Sequence, residues 1–551
     1  METQRLILMV ALMITSLLIW QSWEVRHYQP VAENVGYEGT KVSSLPVDET
    51  IPEMPPSRSI AEVSAVTQQQ LDTPAQAQRI RVVTDLLDIE LSTAGGDVRK
   101  ASLLQYPIEL EEPDVVIQLM NDTMPRLFIG QSGLISRNQK LPDHHTVYHA
   151  EKSHYQLTEG DDQLEVKLSW QGEDGISVVK QLTFKRDSYL VDVDYFIQNA
   201  SGEELSLAMY RQLQRGNYEI QGENSLIYTF TGAVVSNSIN KYEKISFDDM
   251  EEWKPEQDYA QGGYVAMLQH YFTSSWLANE GEDNRFYSKS LSDGRYVIGM
   301  STPETMVAVG SSEQLHSRMF IGPKDQERMG EASEDLVLTV DYGILSIIGE
   351  PLFWLLRQIH DLLGNWGWSI IVLTIIIKLC FYPLTDKQYR SMANLRKLQP
   401  KMEAIKERHG DDRQKMGQAM MELYKKEKVN PLAGCLPILV QIPVFIALYW
   451  VLVESVEIRQ ADFALWINDL SSADPYFILP LLMGISMFIM QKLSPKPSDP
   501  MQEKVMMSLP FVFGIFFAFF PAGLVLYWFI NNLLSILQQW YITKKVLSED
   551  K

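Results

Sequence analysis

From Gly367 to Leu384 the chain runs for eighteen residues with one charge among them, Lys378, and the two residues before, Asn365 and Trp366, are uncharged too. A helix needs ~20 predominantly apolar residues to cross a bilayer, so this stretch is long enough to span. Inserting a lysine near the middle of a span costs about 2.5–3.5 kcal/mol or more, and such a charge usually faces protein or trapped water. The competing arrangement is a stem that reaches back to the surface, since Lys378 lies six residues before Leu384, about 9 Å of helix. Thr374, four residues earlier on the same face, favours a polar stripe. Lys378 is therefore the first candidate for function.

The same constraint recurs along the chain. Leu6–Trp23 is uncharged, follows Arg5, and has neither a small-x-small cleavage site nor a terminal cysteine, so it is expected to be an uncleaved anchor (1–23). Val429–Val453 and Pro475–Gln491 are two more uncharged spans, and Val505–Thr543 is too long for one helix and is divided by Pro521-Ala522-Gly523. The expectation is six spans, five of them in a bundle over 365–543. Pro351–Leu363 has leucines on one helical face and Arg357, Gln358, His360 and Asp361 on the other, as an interfacial helix (351–364) would.

Charge is divided between two regions. Residues 24–350 hold 26 Lys+Arg against 52 Asp+Glu, a net of −26, while the rest of the chain is at +4. So acidic a surface disfavours nucleic acid and anionic lipid as partners there. Residues 24–78 are rich in Pro, Gln, Glu and Ser without periodicity and read as a tether. Over 79–345, alternating segments such as SVVKQLTF and SYLVDVDYFIQN are punctuated by Gly95-Gly96, Asp174-Gly175 and Ser201-Gly202, which predicts a large β-sandwich. Both cysteines, Cys380 and Cys435, lie outside it, so no disulfide holds it. His144, His145, His149 and His154 cluster in sequence, but no cysteine or regular ligand spacing supports a metal.

Between Thr385 and Lys428 stand twelve basic residues, among them Arg396, Lys397, Lys401, Lys425 and Lys426, whereas the loop Glu454–Asp474 has only Arg459. Positive loops stay cytoplasmic, which puts both termini inside and the acidic domain outside. Met392, Leu395, Leu398, Met402 and Ile405, then Met416, Met420 and Leu423, keep helical spacing around Gly410-Asp411-Asp412. This predicts a cytoplasmic helical hairpin (385–428), with Pro400 interrupting its first helix and the basic surface a candidate docking site. A short cytoplasmic tail (544–551) follows the last span.

Tyr527, Asn531, Ser535 and Gln538 or Gln539 form one face of the last span, with Gln441 in the third of the six spans and Ser486 in the fourth. Interhelical hydrogen bonds are the ordinary account of such residues; the alternative is that with Lys378 and Thr374 they line a wet cavity. No histidine or carboxylate lies within a span, and no nucleotide-binding, zinc-protease or serine-hydrolase motif occurs. The expectation is a protein that is not an enzyme and carries no metal or cofactor. A transporter with a periplasmic substrate-binding domain is the alternative, weakened by the lack of a repeat relating two halves of the bundle. A glycan-binding module on an anchor would need one span, not six.

FYPLT at Phe381–Thr385, KVNPLAGCLPILVQIPVFIALY at Lys428–Tyr449, FALWINDLSSADPYFILP at Phe463–Pro480 and FPAGLVLYW at Phe520–Trp528 resemble the YidC/Oxa/Alb family of membrane protein insertases, in its Gram-negative form. The resemblance spans essentially the whole chain. It implies an inner-membrane chaperone that moves nascent membrane proteins through a hydrophilic groove, alone or beside the SecYEG translocon and its accessory subunits, with ribosome or targeting factors and lipids as further partners. It places Lys378 where the family usually has Arg, keeping the charge without the planar fork, and Trp528 where relatives often have Tyr. The implied groove set is Lys378, Thr374, Gln441, Tyr527, Trp528, Asn531 and Ser535.

Overall fold

The computed structural model describes residue 52 and residues 77–218, 229–409, 412–427, 436–494 and 500–548. The expected anchor, nearly all of the expected tether, Gly410-Asp411, residues 428–435 and residues 549–551 lie outside the described residues. The chain divides into two compact units that meet in sequence between Val340 and Asp341.

The first unit is built on two sheets, of eleven and nine strands among the described residues. In the nine-stranded sheet, Ile176–Lys185 and Leu190–Asn199 pair antiparallel, Val193 opposite Leu182 and Tyr195 opposite Lys180. Alternation decides the faces: Val191, Val193, Tyr195 and Ile197 are buried, and each aliphatic side chain so buried contributes ~1.5–3 kcal/mol. The other sheet centres on Leu205–Gly216, buried along its whole length between Phe128–Ser136 and Arg295–Ser301. Ser132 and Tyr195 join the two sheets through a 2.9 Å hydroxyl hydrogen bond, and Trp276 Nε1 donates to the Gln212 carbonyl. The turn between Leu87–Ser92 and Val98–Pro107 holds Gly95 at φ +73°, where a Cβ would lie 2.6 Å from the His144 backbone. His144 is buried against Tyr210, while His149 and His154 are exposed. A short helix, α1 (Gln326–Ala332), capped by Asp325, and a 3-10 turn (Glu334–Thr339) close the unit.

The second unit is helical: α2 (Ser346–Leu363), α3 (Trp366–Cys380), α4 (Tyr382–His409), α5 (Arg413–Lys426), α6 (Leu436–Glu454), α7 (Ile478–Leu493), α8 (Pro500–Phe516) and α9 (Ala522–Ser548). Three expectations need correction. The amphipathic helix begins at Ser346 rather than Pro351, and it buries Phe353 and Leu356 while leaving Trp354 and Leu362 exposed. The Gly367–Leu384 stretch is not one straight helix, because the chain turns by 68° between α3 and α4. Pro383, second in α4, suits a new helix start, where its missing N–H has no acceptor to lose. Pro400, by contrast, does not interrupt α4, which runs through it from Tyr382 to His409.

Among the described residues no single helix is long and apolar enough to cross a membrane; α3 and α4 taken together pass that test. Pro521 separates α8 from α9, with a 3-10 turn at Phe517–Phe519 between them. Outward-facing side chains of the bundle are often apolar, as at Phe511, Ile515, Leu537 and Trp540.

Candidate functional site

Lys378 reaches its place because α3 is fixed at its start. Asn365 caps the helix, its side chain accepting from Trp368 N at 3.0 Å and donating to the Asp462 and Phe463 carbonyls. Gly367 lies under the Phe463 ring, where a Cβ would come within 2.0 Å of the ring. Three turns on, Lys378 sits in the last turn of α3, where a cation is favoured by the exposed carbonyl ends. Its stem does not run to the surface. Lys378 is 6% exposed, and its Nζ donates to Ser535 Oγ of α9 at 2.8 Å.

The start of α9 is anchored in the same way. Ala522 N and Gly523 N donate to the Ser472 and Leu470 carbonyls. From there α9 carries polar groups to three neighbours. Ser535 meets Lys378 on α3; Asn531 Oδ1 accepts from Gln441 Nε2 on α6 at 2.9 Å; Asn532 Nδ2 donates to Ser486 Oγ on α7 at 3.0 Å. The remaining expected groove residues do other things. Thr374 is buried and donates to its own helix at the Ile370 carbonyl, 2.6 Å away. The Tyr527 ring stacks on Phe445 at 6.0 Å, and Trp528 lies edge-on to Phe445 at 4.4 Å and against Phe517 at 4.8 Å. The polar stripe makes interhelical contacts: Thr374, Tyr527, Ser535 and Lys378 are buried, and Gln441, Trp528 and Asn531 are half-buried.

Two members of this network are absent from the sequence reading. Asn532 follows Asn531 directly, and an Asn-Asn pair inside an apolar span was the signal for it. Tyr389 of α4 is the other. It is buried and packs with Ala393 against Ile542 and Val546 of α9. Burial pushes its hydroxyl above the ordinary tyrosine value, and the neighbouring Ser535 hydroxyl opposes that rise.

The hairpin helices α4 and α5 are joined at Lys401 Nζ–Glu427 Oε1, 2.7 Å, and by the Tyr424 hydroxyl, which donates to the Met402 sulfur at 3.9 Å. Asp412 caps α5, accepting from Gln414 N and Lys415 N. Of the expected docking residues, Lys397 donates to the Val546 carbonyl of α9, and Arg396, Lys425 and Lys426 are exposed.

Two family models match the chain, "YidC periplasmic domain" over residues 79–355 and "60Kd inner membrane protein" over 358–549. Membrane protein insertase YidC of Thioalkalivibrio sulfidiphilus is 48% identical, covering 99% of both chains. That of Nitrosococcus oceani is 46% identical over 100% of both. A crystal structure of an active YidC insertase aligns with TM-score 0.38 and 20% identity over 84% of this chain and 92% of that one. With relatives this similar from end to end, the chain belongs to the YidC family of membrane protein insertases.

Proposed function

We infer that this protein is a membrane protein insertase acting on nascent membrane proteins, and that Lys378 is the centre of its substrate path. One observation carries the second part: a lysine in an apolar helix is held inside the bundle by a hydroxyl of the last helix, beside Gln441–Asn531 and Ser486–Asn532 pairs. A polar flank of a substrate loses several kcal/mol of hydration in lipid. A stripe of hydroxyls and amides replaces part of that hydration, and the ammonium draws acidic translocated ends. Thr374, Tyr527 and Trp528 would form the walls. No bond is made or broken in this reaction. The transporter alternative finds no support among these relatives.

In this reading six segments span the inner membrane, with the acidic sheet unit in the periplasm and both termini in the cytoplasm. The contrast between the basic α4–α5 region and the loop at 454–474, with its single Arg459, supports that orientation. The exposed apolar side chains on α8 and α9 suit a lipid surround. SecYEG as a partner rests on the family resemblance alone, and the exposed Arg396, Lys425 and Lys426 are the surface offered to ribosome or targeting factors.

The test is reconstitution of the protein alone in liposomes with a short substrate bearing an acidic translocated tail. Wild-type protein should insert it without other factors, and Lys378→Leu should slow it several-fold. No insertion by wild type would reject the insertase reading. A wild-type rate from Lys378→Leu, with a cysteine at 374 closed to water-soluble thiol reagents throughout the cycle, would reject the path through Lys378.

A further inference from the structure

We propose that the loop between α6 and α7, residues 455–477, rests in the lipid of the periplasmic leaflet, with Leu465, Tyr476 and Phe477 among the upper parts of the acyl chains. This rests on the reading given above, in which the bundle spans the membrane and this loop lies on its periplasmic side. For a segment in water the loop is turned inside out. Asp474, buried, accepts from Trp466 Nε1 at 3.0 Å, from Tyr476 N at 2.9 Å and from Leu479 N at 2.6 Å. Asp469 accepts from Gln460 N, Ser471 N and the Ser471 and Ser472 hydroxyls. These carboxylates serve the loop's own frame, while Leu465, 88% exposed, and Tyr476 and Phe477 face outward.

The backbone is held in this form at a cost. Four non-glycine residues take positive φ among the described residues, and three of them are here: Gln460 at +56°, Leu465 at +61° and Phe477 at +55°. A bulky L-residue seldom adopts that region. Leu465 occupies the second place of the turn closed by Ile467 N and the Ala464 carbonyl, where positive φ calls for glycine or asparagine. Its neighbours are fixed: the Phe463 ring covers Gly367, Trp466 is tied to Asp474, and Ile467 is buried. A leucine held outward by so firm a frame needs an apolar medium to face.

Continuity identifies that medium. Phe477, Leu481, Ile485 and Ile489 recur every fourth residue and are all exposed, so one apolar stripe runs from the loop along α7. Trp368, exposed and edge-on to Phe463 at 5.4 Å, joins Tyr476 as an aromatic of the kind that settles at headgroup level. Asp462, Asn468 and Ser472 are exposed as well, which limits immersion to about 5–10 Å, the boundary between headgroups and acyl chains. The same loop receives both helices of the Lys378 site. Asn365 at the start of α3 donates to its Asp462 and Phe463 carbonyls, and Gly523 N and Ala522 N at the start of α9 donate to its Leu470 and Ser472 carbonyls. Seated in lipid, the loop sets the level from which α3 descends, and Lys378, thirteen residues after Asn365, lies about 20 Å further along the helix.

Depth-resolved quenching tests this. Leu465→Cys, Phe477→Cys, Phe511→Cys and Met421→Cys, each in the full chain with Cys380→Ala and Cys435→Ala, carry an environment-sensitive fluorophore in liposomes of phosphatidylcholine and phosphatidylglycerol. Quenching by a nitroxide high on the lipid acyl chain is compared with quenching by iodide in water. Labels at 465 and 477 should be quenched at least about threefold more by the lipid nitroxide, as at 511 on the exposed face of α8, and the label at 421 on the hairpin should show the reverse. Iodide-dominated quenching at 465 overturns the proposal, and so does protection from both quenchers, the mark of a protein surface covering the loop. If the label at 511 is also quenched mainly by iodide, the membrane-spanning reading falls with it. Leu465→Asn examines the side chain without a label. Asparagine suits positive φ and steadies such a turn in water; in lipid the substitution should speed amide exchange over residues 460–472 at least about threefold. Unchanged or slower exchange overturns the proposal as well.

Discussion

Both units bury cations, but they hold them differently. In the sheet unit, Lys180 is 1% exposed; its Nζ donates to the Gly95 carbonyl at 2.7 Å and the Ser132 carbonyl at 3.4 Å and lies 5.4 Å from the Tyr195 ring centre. Asp97, also buried, stands close enough to favour its charge. Arg211 is similarly enclosed by Ser317, Asn284 and Glu282. Lys378 has one hydrogen bond among the described residues, and an ammonium has three donors. The first kind of cation is met by several acceptors that the fold supplies. The second keeps donors unmatched in an apolar setting, which is costly at rest and favourable once a substrate brings acceptors of its own.

The sharpest way to break this comparison is to reverse or remove each charge. Lys378→Glu should reduce insertion of an acidic-tailed substrate about a hundredfold or more, and Lys378→Arg should keep it within about twofold, since only the sign of the charge is demanded. Lys180→Met should do the opposite, lowering the stability of the sheet unit by ~1–3 kcal/mol because the buried Gly95 carbonyl loses its donor and Asp97 is left with Arg99, while insertion stays within about twofold wherever that unit remains folded. Urea unfolding and liposome insertion, run on the same preparations, check both halves. A Lys180 variant that unfolds nothing and stops insertion would erase the distinction.

A smaller effect comes from pH. Burial lowers the Lys180 pKa to about 8, with Asp97 opposing, against ~10.4 in an unfolded chain. Between those values the unfolded chain holds a proton that the folded one has shed, so stability rises with pH across that window. From pH 7.5 to 9 the urea midpoint of the sheet unit should rise by the equivalent of about 1 kcal/mol, and Lys180→Met should flatten the slope. Nearer pH 10 the buried tyrosines act the other way. Burial raises Tyr195 and Tyr264 well above their ordinary value, so their ionisation favours unfolding. The smallest effect belongs to an exposed cation. Lys401→Ala removes an ion pair with Glu427 whose lysine side chain is 59% exposed; it should change amide exchange in α4 and α5 by less than about fivefold.

How much of this the sequence disclosed follows from the range of each signal. The break at Pro521, the cap at Asp412 and the turns at Gly95-Gly96 and Gly175 depend on a few adjacent residues, and they lie where turn chemistry predicts. The polar face of α9 was legible from spacing alone. Its partners were not, because Lys378 and Ser535 are 157 residues apart and no periodicity links them. Lys180 was open to a closer reading: it shares the inward phase of Ile176, Val178 and Leu182, so alternation alone marks it as buried. The turn at Phe381 was hidden by hydropathy, which continues unchanged through Tyr382 and Leu384 while the backbone changes direction.

The meeting of three helices on α9 also bears on the order in which the protein can be made. A chain is synthesised from its N-terminus, so Lys378, Gln441 and Ser486 exist well before Ser535, Asn531 and Asn532, the residues that satisfy them. Until α9 arrives, those three polar groups stand in the nascent bundle without their final partners. The last helix is thus the piece that supplies the final partners of three earlier helices.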